Sequence, residues 1–169
     1  MVEVDLIDFH LMFVPMSRYR HPISGNRGRI DTVSKQYYQF LLHRAVRYYG
    51  DADLHIRPDL GECSHRLPDF VTALNAESNR RFGHVDPVRT ISPSCSATSP
   101  ARHFLQFLDV SIGALAAIRN GRFDNNEGSF KAELAREIWE FWGAPDLSCN
   151  TAIADRRFNI WNVVPSWQT

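Results

Sequence analysis

The chain has 169 residues, of which 44% are hydrophobic and 22% charged, values typical of one globular domain with a buried core. Nineteen basic residues balance nineteen acidic ones, so no overall charge draws the protein to nucleic acid or to a membrane surface, and any contact with a polyanion has to be local. We expect a single domain over residues 1–169.

The spacing of the cysteines and the length of the apolar runs indicate in which cellular compartment to expect the protein. Cys63, Cys95 and Cys149 are widely spaced and form no Cys-x-x-Cys pair, which argues against a disulfide framework or a zinc site. The N-terminus lacks a signal-peptide pattern, and no apolar run reaches membrane-spanning length. We therefore expect a cytoplasmic protein without a membrane partner.

The first predicted element is one strand or two. Apolar and polar residues alternate over 2–6, and a nearly continuous apolar run follows over 9–14 and ends at Pro15. This pattern predicts a strand that is first half buried and then fully buried.

A basic loop is predicted next, because residues 17–30 are rich in Gly, Pro, Ser and Asn. It gathers four arginines around Tyr19 with no acid among them: Arg18, Arg20, Arg27 and Arg29. Guanidinium groups beside an aromatic ring suit contacts with the phosphates and bases of nucleic acid. A solvated basic loop is the alternative interpretation.

Asp59 follows a predicted strand. A helix is expected from Asp31 or Thr32 to Gly50, and a short strand at 54–56 comes after it. Asp59 then lies just past the carboxyl end of that strand, where ligands collect in open sheets with parallel strands. An ordinary turn Asp occupies the same kind of position.

The alternation of strands and helices continues to the end of the chain. We expect a helix from Pro68 to Gly83, a strand over 88–92, an amphipathic helix that begins after Ser129, and an apolar tail over 158–164 that docks on the body. This order predicts an α/β fold, or a sheet with an antiparallel edge and helices packed on it.

The most apolar helix is predicted over 99–120. Its apolar side chains cover most of the circumference, so we expect it to be buried: Phe104, Phe107, Leu108, Val110, Ile112, Leu115 and Ile118. The remaining face carries Arg102, Gln106, Asp109, Gly113 and Ala116. A buried carboxylate has to be paired, protonated or bound to a cation, so Asp109 is either a structural hydrogen-bonding group or a metal ligand.

Asp59 and Asp109 are the candidate ligands of a hard cation. Two carboxylates from different elements can hold Mg²⁺ or Mn²⁺, which prefers oxygen ligands, keeps several waters and activates water against phosphodiesters. The seven histidines show no metal-binding spacing, and neither a nucleophile elbow nor a Walker-type loop occurs.

Two motifs carry a resemblance to a known family. Residues 105–109, Leu-Gln-Phe-Leu-Asp, followed by Ile112-Gly113-Ala114, resemble the LQxxD…GA helix of the domain of unknown function 3800 family. Residues 157–161, Arg-Phe-Asn-Ile-Trp, are similar to its closing KFNIW-like segment. With weaker matches at 38–42, 55–59 and 74–75, the resemblance covers most of the chain from Val2 to Trp161.

The resemblance implies a ribonuclease-H-like fold, a mixed sheet with helices packed on it, and metal-dependent phosphodiester cleavage by clustered acids. It implies that Asp59 is the acid after the central strand and Asp109 the acid on the last core helix. Gln106 is implied as a residue that contacts the metal ligands rather than the metal.

The sequence departs from the family at its amino terminus. Family members open with a strand that carries Asp-Glu-Ser-Gly and supplies the first catalytic carboxylates, and this motif does not occur here. Asp5 and Asp8 stand in a different motif, and Cys95 occupies a position that is often acidic in the family. We therefore expect an N-terminally shortened domain whose open sheet edge suits homodimer formation.

Three interpretations stay open. The first is a nuclease that acts on nucleic acid with Mg²⁺ or Mn²⁺ held by Asp59 and Asp109. The second is a non-catalytic relative that serves as an interaction or dimerisation module. The third is that the true start lies upstream of Met1.

Overall fold

A computed structural model describes residues 7–15, 26–61, 64–94, 102–121, 129–142 and 146–164. Within these ranges the fold is mixed α/β, with four α-helices and two small parallel sheets. The strands are β1 (Phe9–Phe13), β2 (Leu54–Ile56), β3 (Val88–Ile91) and β4 (Phe158–Asn162). The α-helices are α1, which joins Asn26–Phe40, a π-helical segment Leu41–Val46 and a last turn Arg47–Tyr49, then α2 (Phe70–Phe82), α3 (Arg102–Arg119) and α4 (Phe130–Trp142). A 3-10 helix, Ser64–Asp69, precedes α2.

The chain divides into two compact units. The terminal unit combines Met1–Val14 with Ala101–Thr169, and the central unit is Pro15–Pro100. The terminal unit holds β1, α3, α4 and β4, and the central unit holds α1, β2, α2 and β3. Each unit has its own buried apolar cluster. The expectation of a single domain over 1–169 stays a prediction.

In the terminal unit, β1 and β4 pair in parallel, with Phe9 opposite Phe158. The two rings stack with their centroids 5.8 Å apart. Because a two-stranded sheet is marginal by itself, apolar burial against α3 and α4 has to stabilise it. The buried cluster that does so contains Phe9, Leu11, Ala114, Leu115, Ala135, Ile138, Leu147, Phe158 and Ile160.

The outer edge of β4 is covered by the loop before it. The N–H of Thr151 donates to the Ile160 carbonyl (3.2 Å), and the N–H of Ile160 donates to Thr151 Oγ1 (2.9 Å). Asn150 Oδ1 accepts the N–H of Asn162 (2.6 Å). The peptide groups of this edge are therefore satisfied without a third strand.

Asn159 anchors the same loop from within. Its side chain is fully buried, and its Nδ2 donates to the carbonyls of Ala152 (3.1 Å) and Asp155 (3.0 Å). The strand predicted from the apolar tail is thus present, with Phe158 and Ile160 in the core and Asn159 holding the preceding loop.

In the central unit, β2 and β3 pair in parallel with an irregular register. The register shifts between Leu54 and His55, which leaves Arg89 without a partner residue on β2. The extra residue changes the strict alternation of faces, so that Val88 and Ile91, three positions apart, are both buried. They join the apolar cluster that α1 and α2 complete.

A side chain of α2 hydrogen-bonds to the first residue of β3. Asn75 Oδ1 accepts the Val88 N–H (2.9 Å), and Asn75 Nδ2 donates to the Val88 carbonyl (3.0 Å). The amide therefore makes the pair of bonds that a neighbouring strand would make. Leu74, next to it, is fully buried and fixes the position of α2 in the apolar cluster.

The beginning of α1 corrects the predicted loop. The helix starts at Asn26 rather than at Asp31 or Thr32, so the last part of the predicted loop 17–30 is helical. Gly28 is buried, and its carbonyl accepts the Thr32 hydroxyl at 3.0 Å, so local packing outweighs the low helix propensity of glycine. The strand expected at 54–56, the helix expected after Pro68 and the strand expected at 88–92 are confirmed within a residue or two.

Position 50, just after α1, has no room for a side chain. A Cβ at this position would lie 2.5 Å from the His84 ring and 2.5 Å from the Val46 carbonyl oxygen. Only a residue without a side chain lets the turn into β2 pass this close to the loop that follows α2.

The expected burial of α3 is wrong for much of its length. Phe104 is 62% exposed, and four other apolar side chains are also exposed: Phe107, Leu108, Val110 and Ile112. The core of the terminal unit takes Ala114, Leu115 and Ile118 from the carboxyl half of the helix. Hydrophobic periodicity identifies the apolar face of a helix, but it does not show how much of that face packs against another element. No helix in the described ranges has both the length and the apolarity needed to cross a membrane.

We predict that Asn75→Ala lowers the free energy of unfolding by about 1–3 kcal/mol, because the N–H and C=O of the buried Val88 lose their partner. Urea denaturation of both proteins measures the difference. Asn79→Ala, an exposed position one turn later on α2, is the matched control and should stay within about 0.5 kcal/mol of the parent. Equal losses in the two variants would contradict the role assigned to Asn75.

Candidate functional site

Asp59 lies at the carboxyl end of a parallel strand pair. It forms an isolated parallel bridge with Ser94, and the Ser94 N–H donates to the Pro58 carbonyl at 3.0 Å. The pairing of β2 and β3 is thereby extended past both strands. The predicted position of Asp59 just after a strand is confirmed, and the parallel pairing makes this the end at which ligands collect.

The surroundings of Asp59 supply oxygen atoms. Its side chain is exposed, and within the described ranges no hydrogen bond or ion pair occupies its carboxylate. The buried hydroxyl oxygen of Ser94, on the opposite residue, likewise has no hydrogen-bond partner among those residues. After Asp59, Ser64 Oγ accepts the Gly61 N–H (3.0 Å) and donates to the Gly61 carbonyl (2.7 Å), which fixes the turn.

Asp109 and Gln106 lie on α3 of the terminal unit. They are three residues apart, so their side chains lie on one side of the helix, and both are exposed. The expectation of a buried carboxylate that has to be paired, protonated or metal-bound is therefore wrong for Asp109. A solvated carboxylate can bind a cation but does not require one.

The four arginines of the predicted basic loop are placed only in part. Arg18 and Arg20 lie outside the described residues. Arg27 is in the first turn of α1, and Arg29 is exposed on the same helix. These two arginines belong to a helix rather than to the predicted loop.

The metal prediction can be compared with the donors present. In the described ranges, no three side chains of His, Cys, Asp or Glu type stand close enough together to hold a metal ion. Asp59 belongs to the central unit and Asp109 to the terminal unit. A single carboxylate such as that of Asp59 can serve a hard cation only as one ligand among waters and substrate oxygens.

A cluster of cations on α1 and α2 was not predicted from the sequence. We call Arg44, Arg47, Arg80 and Arg81 the arginine cluster. His43 lies among them, and burial, followed by the charges of Arg81, Arg44 and Arg47, lowers the pKa of His43. Three cationic side chains from two helices thus act on this imidazole.

One acid stands within the arginine cluster. Glu77 accepts two hydrogen bonds from Arg80, at 3.1 and 2.7 Å, and a further one from Arg81 Nε. These hydrogen bonds hold the pKa of the Glu77 carboxyl below its usual range. The ring of Tyr38, from α1, lies near the same charges.

Aromatic rings support two of the guanidinium groups. Arg44 is buried, lies 5.9 Å from the centroid of the Tyr48 ring, and donates to the His43 carbonyl at 3.0 Å. The guanidinium of Arg47 lies 6.0 Å from the centroid of the Phe82 ring on α2. Such contacts favour cations over the faces of aromatic rings and hold them in place.

The sequence carried a partial signal for this cluster. Arg80 and Arg81 are adjacent, and Arg44 and Arg47 are three residues apart on one helix. Each pair alone is typical of a solvated helix surface. The packing of α2 on the π-helical segment of α1 brings the pairs together, and that packing is not readable from spacing.

Comparison with known proteins returns no relative. The chain matches no protein-family model, and no curated protein or solved structure is significantly similar to it. The resemblance to the domain of unknown function 3800 family, and the ribonuclease-H-like fold that it implies, therefore stay predictions from the motifs.

We predict that Glu77→Gln destabilises the protein at pH 7 and that the difference from the parent disappears in acid. The folded-state pKa of Glu77 is depressed, so its contribution is complete above the unfolded-state pKa, roughly 4.3, and is lost as the pH falls through the lower folded-state pKa. Thermal melts from pH 7 to pH 2.5 measure this. Glu137→Gln, at an exposed position on α4, is the control and should show no such trend. A gap that stays constant across the pH range would argue against the charge-based account.

Proposed function

We propose that the protein is a Mg²⁺- or Mn²⁺-dependent nuclease of ribonuclease-H-like fold that cleaves phosphodiester bonds of nucleic acid. The observation that carries the proposal is the exposed carboxylate of Asp59 at the carboxyl end of the parallel β2–β3 pair. In sheets with parallel strands this is the end at which ligands bind. The motif resemblance of α3 and β4 supports the same reading.

The donors fit a hard cation held mainly by water and substrate. Asp59 would be a ligand of the ion in the central unit. The motif resemblance makes Asp109 a further proposed ligand and Gln106, on the same side of α3, a residue that contacts the ligands. A bound divalent ion would neutralise phosphate charge and lower the pKa of a coordinated water. Arg18, Arg20, Arg27 and Arg29 are the proposed phosphate contacts, and of these Arg27 and Arg29 lie on α1.

Hydrogen bonds hold the backbone around Asp59 in place for this chemistry. The hydrogen bond between Ser94 and Pro58 and the turn fixed by Ser64 hold the backbone on both sides of Asp59. The carboxylate therefore needs little reorganisation to accept a ligand. Ser94 brings a hydroxyl to the same end of the strand pair.

The test is Mn²⁺-dependent cleavage of labelled single- and double-stranded DNA and RNA by the whole chain. We expect Asp59→Asn and Asp109→Asn each to slow cleavage by about 100-fold or more, because each removes a proposed metal ligand. Asp51→Asn is the matched control, since Asp51 is exposed in the turn at the amino end of β2. Asp51→Asn should cleave at the parental rate.

Two results would reject this function. One is the absence of cleavage by the folded parent protein with either metal. The other is equal cleavage by the parent and by all three variants, which would assign the activity to a contaminant.

A second candidate function is a non-catalytic interaction module that forms a homodimer through an open sheet edge. The observation in its favour is that β1 pairs with β4 on one side and has no neighbouring strand on the other within the described residues. The outer edge of β4 is covered by residues 150–151, and the outer edge of β3 is bonded by Asn75. β2 also has a strand neighbour on one side only within the described residues, but it has three residues against five in β1, so β1 is the longer edge for pairing with a second copy.

We predict for this candidate that the dimer fraction in sedimentation velocity rises with protein concentration. Amide hydrogen exchange in β1 should slow in the same series because a partner strand would protect its outward N–H groups. The amides of α2 serve as the internal control and should not change. A monomer at every concentration would exclude the module as described.

A further inference from the structure

We propose that the arginine cluster of the central unit is a binding site for the phosphodiester backbone of nucleic acid. It is separate from Asp59 and needs neither a metal nor cleavage. It names the partner that the proposed nuclease function requires, and it can be tested without that function. Its residues are Arg44, Arg47, Arg80 and Arg81.

The first argument is local charge. Three exposed guanidinium groups, the buried guanidinium of Arg44 and the carboxylate of Glu77 leave three positive charges in one region of a chain whose formal net charge is zero. The excess is therefore a local feature rather than a share of a basic protein. A local cationic surface of this kind attracts polyanions even when the net charge of the whole molecule is zero.

The second argument is that the cations are held close together. His43 has Arg44, Arg47 and Arg81 as its charged neighbours, and they come from two different helices. Like charges within one cluster repel, and the repulsion grows as the groups leave water. Arg47, Arg80 and Arg81 lie in the last turns of α1 and α2, so the helix dipoles offset part of this cost. A bound phosphate would offset the rest.

The third argument is the presentation of the side chains. Arg80 is 64% exposed and Arg81 42% exposed, and Arg47 is exposed above the Phe82 ring. A planar guanidinium with fixed orientation can donate two parallel hydrogen bonds to one phosphate. Arg44 lies buried beneath them and contributes its charge rather than a contact.

The extent of the surface favours a chain of phosphates over a single one. The exposed guanidinium groups stand on two helices, and Glu77 already engages part of Arg80 and Arg81. The half-buried Tyr38 ring lies near these charges and packs edge-on against Phe70. Cations beside aromatic rings are typical of single-strand binding surfaces. The π-helical segment that carries His43 and Arg44 is a form of helix frequently found at functional sites.

The experiment measures binding of a fluorescent single-stranded oligonucleotide to the whole chain by anisotropy, in EDTA and over a series of salt concentrations. The double variant Arg47→Gln/Arg80→Gln should weaken binding about tenfold near 0.1 M salt. It should also reduce the slope of log K against log salt by about 1.4, which corresponds to two lost phosphate contacts. Arg47→Lys/Arg80→Lys keeps the charge and should retain the parental slope.

The controls separate this inference from others. Arg136→Gln removes one exposed arginine of α4 and should leave affinity and slope unchanged. Asp59→Asn should bind like the parent in EDTA. A parent protein that binds the oligonucleotide but does not cleave it with Mg²⁺ or Mn²⁺ would count against the nuclease proposal alone.

Three outcomes would overturn the proposal. The parent protein does not bind the oligonucleotide at low salt, or the two glutamine substitutions leave the slope unchanged. In the third, anionic lipid vesicles bind more tightly than the oligonucleotide with the same dependence on Arg47 and Arg80, which would assign the surface to a membrane.

Discussion

Side-chain amides take the place of missing strands in both units. A two-stranded parallel sheet leaves the peptide groups of two outer edges without partners, and buried peptide groups have to be hydrogen-bonded. Asn75 bonds both peptide groups of Val88, and Asn150 with Thr151 covers the outer edge of β4. These bonds satisfy peptide groups that a further strand would otherwise have to pair. The rest of the structure depends on these bonds because they fix where the strands begin and end.

The same kind of hydrogen bond determines the position of Asp59 and Ser94 in the candidate site. Asn75 fixes the first residue of β3, and the bulge at Arg89 sets the register from there to Ser94. Ser94 in turn holds the backbone beside Asp59. A change at Asn75 would therefore disturb the far end of the strand pair as well as the near one.

The sequence predicted the parts that depend on local pattern. The short strand before Asp59, the helix after Pro68 and the apolar tail strand all follow from alternation, helix periodicity and breakers. The start of α1 was missed because the burial of Gly28 outweighs its propensity. The exposed half of α3 and the arginine cluster were missed for another reason. Both depend on which elements meet across the fold, as when Arg81 lies near His43, 38 residues earlier in the chain.

In the chain topology, one proposed site comes before β2 and the other comes after it. The arginine cluster stands at the carboxyl ends of α1 and α2, and these helices lead by short loops into the amino ends of β2 and β3. Asp59 follows the carboxyl end of β2. Leu54 and Asp59 are thus separated by about 16 Å of extended chain, at about 3.3 Å per residue. A nucleic acid that contacts both proposed sites would span the length of β2, so the cations would hold its backbone away from the phosphodiester bond beside Asp59. Binding energy gained there would position the substrate without crowding the carboxylate with positive charge, and Asp59 would keep its capacity to bind a cation.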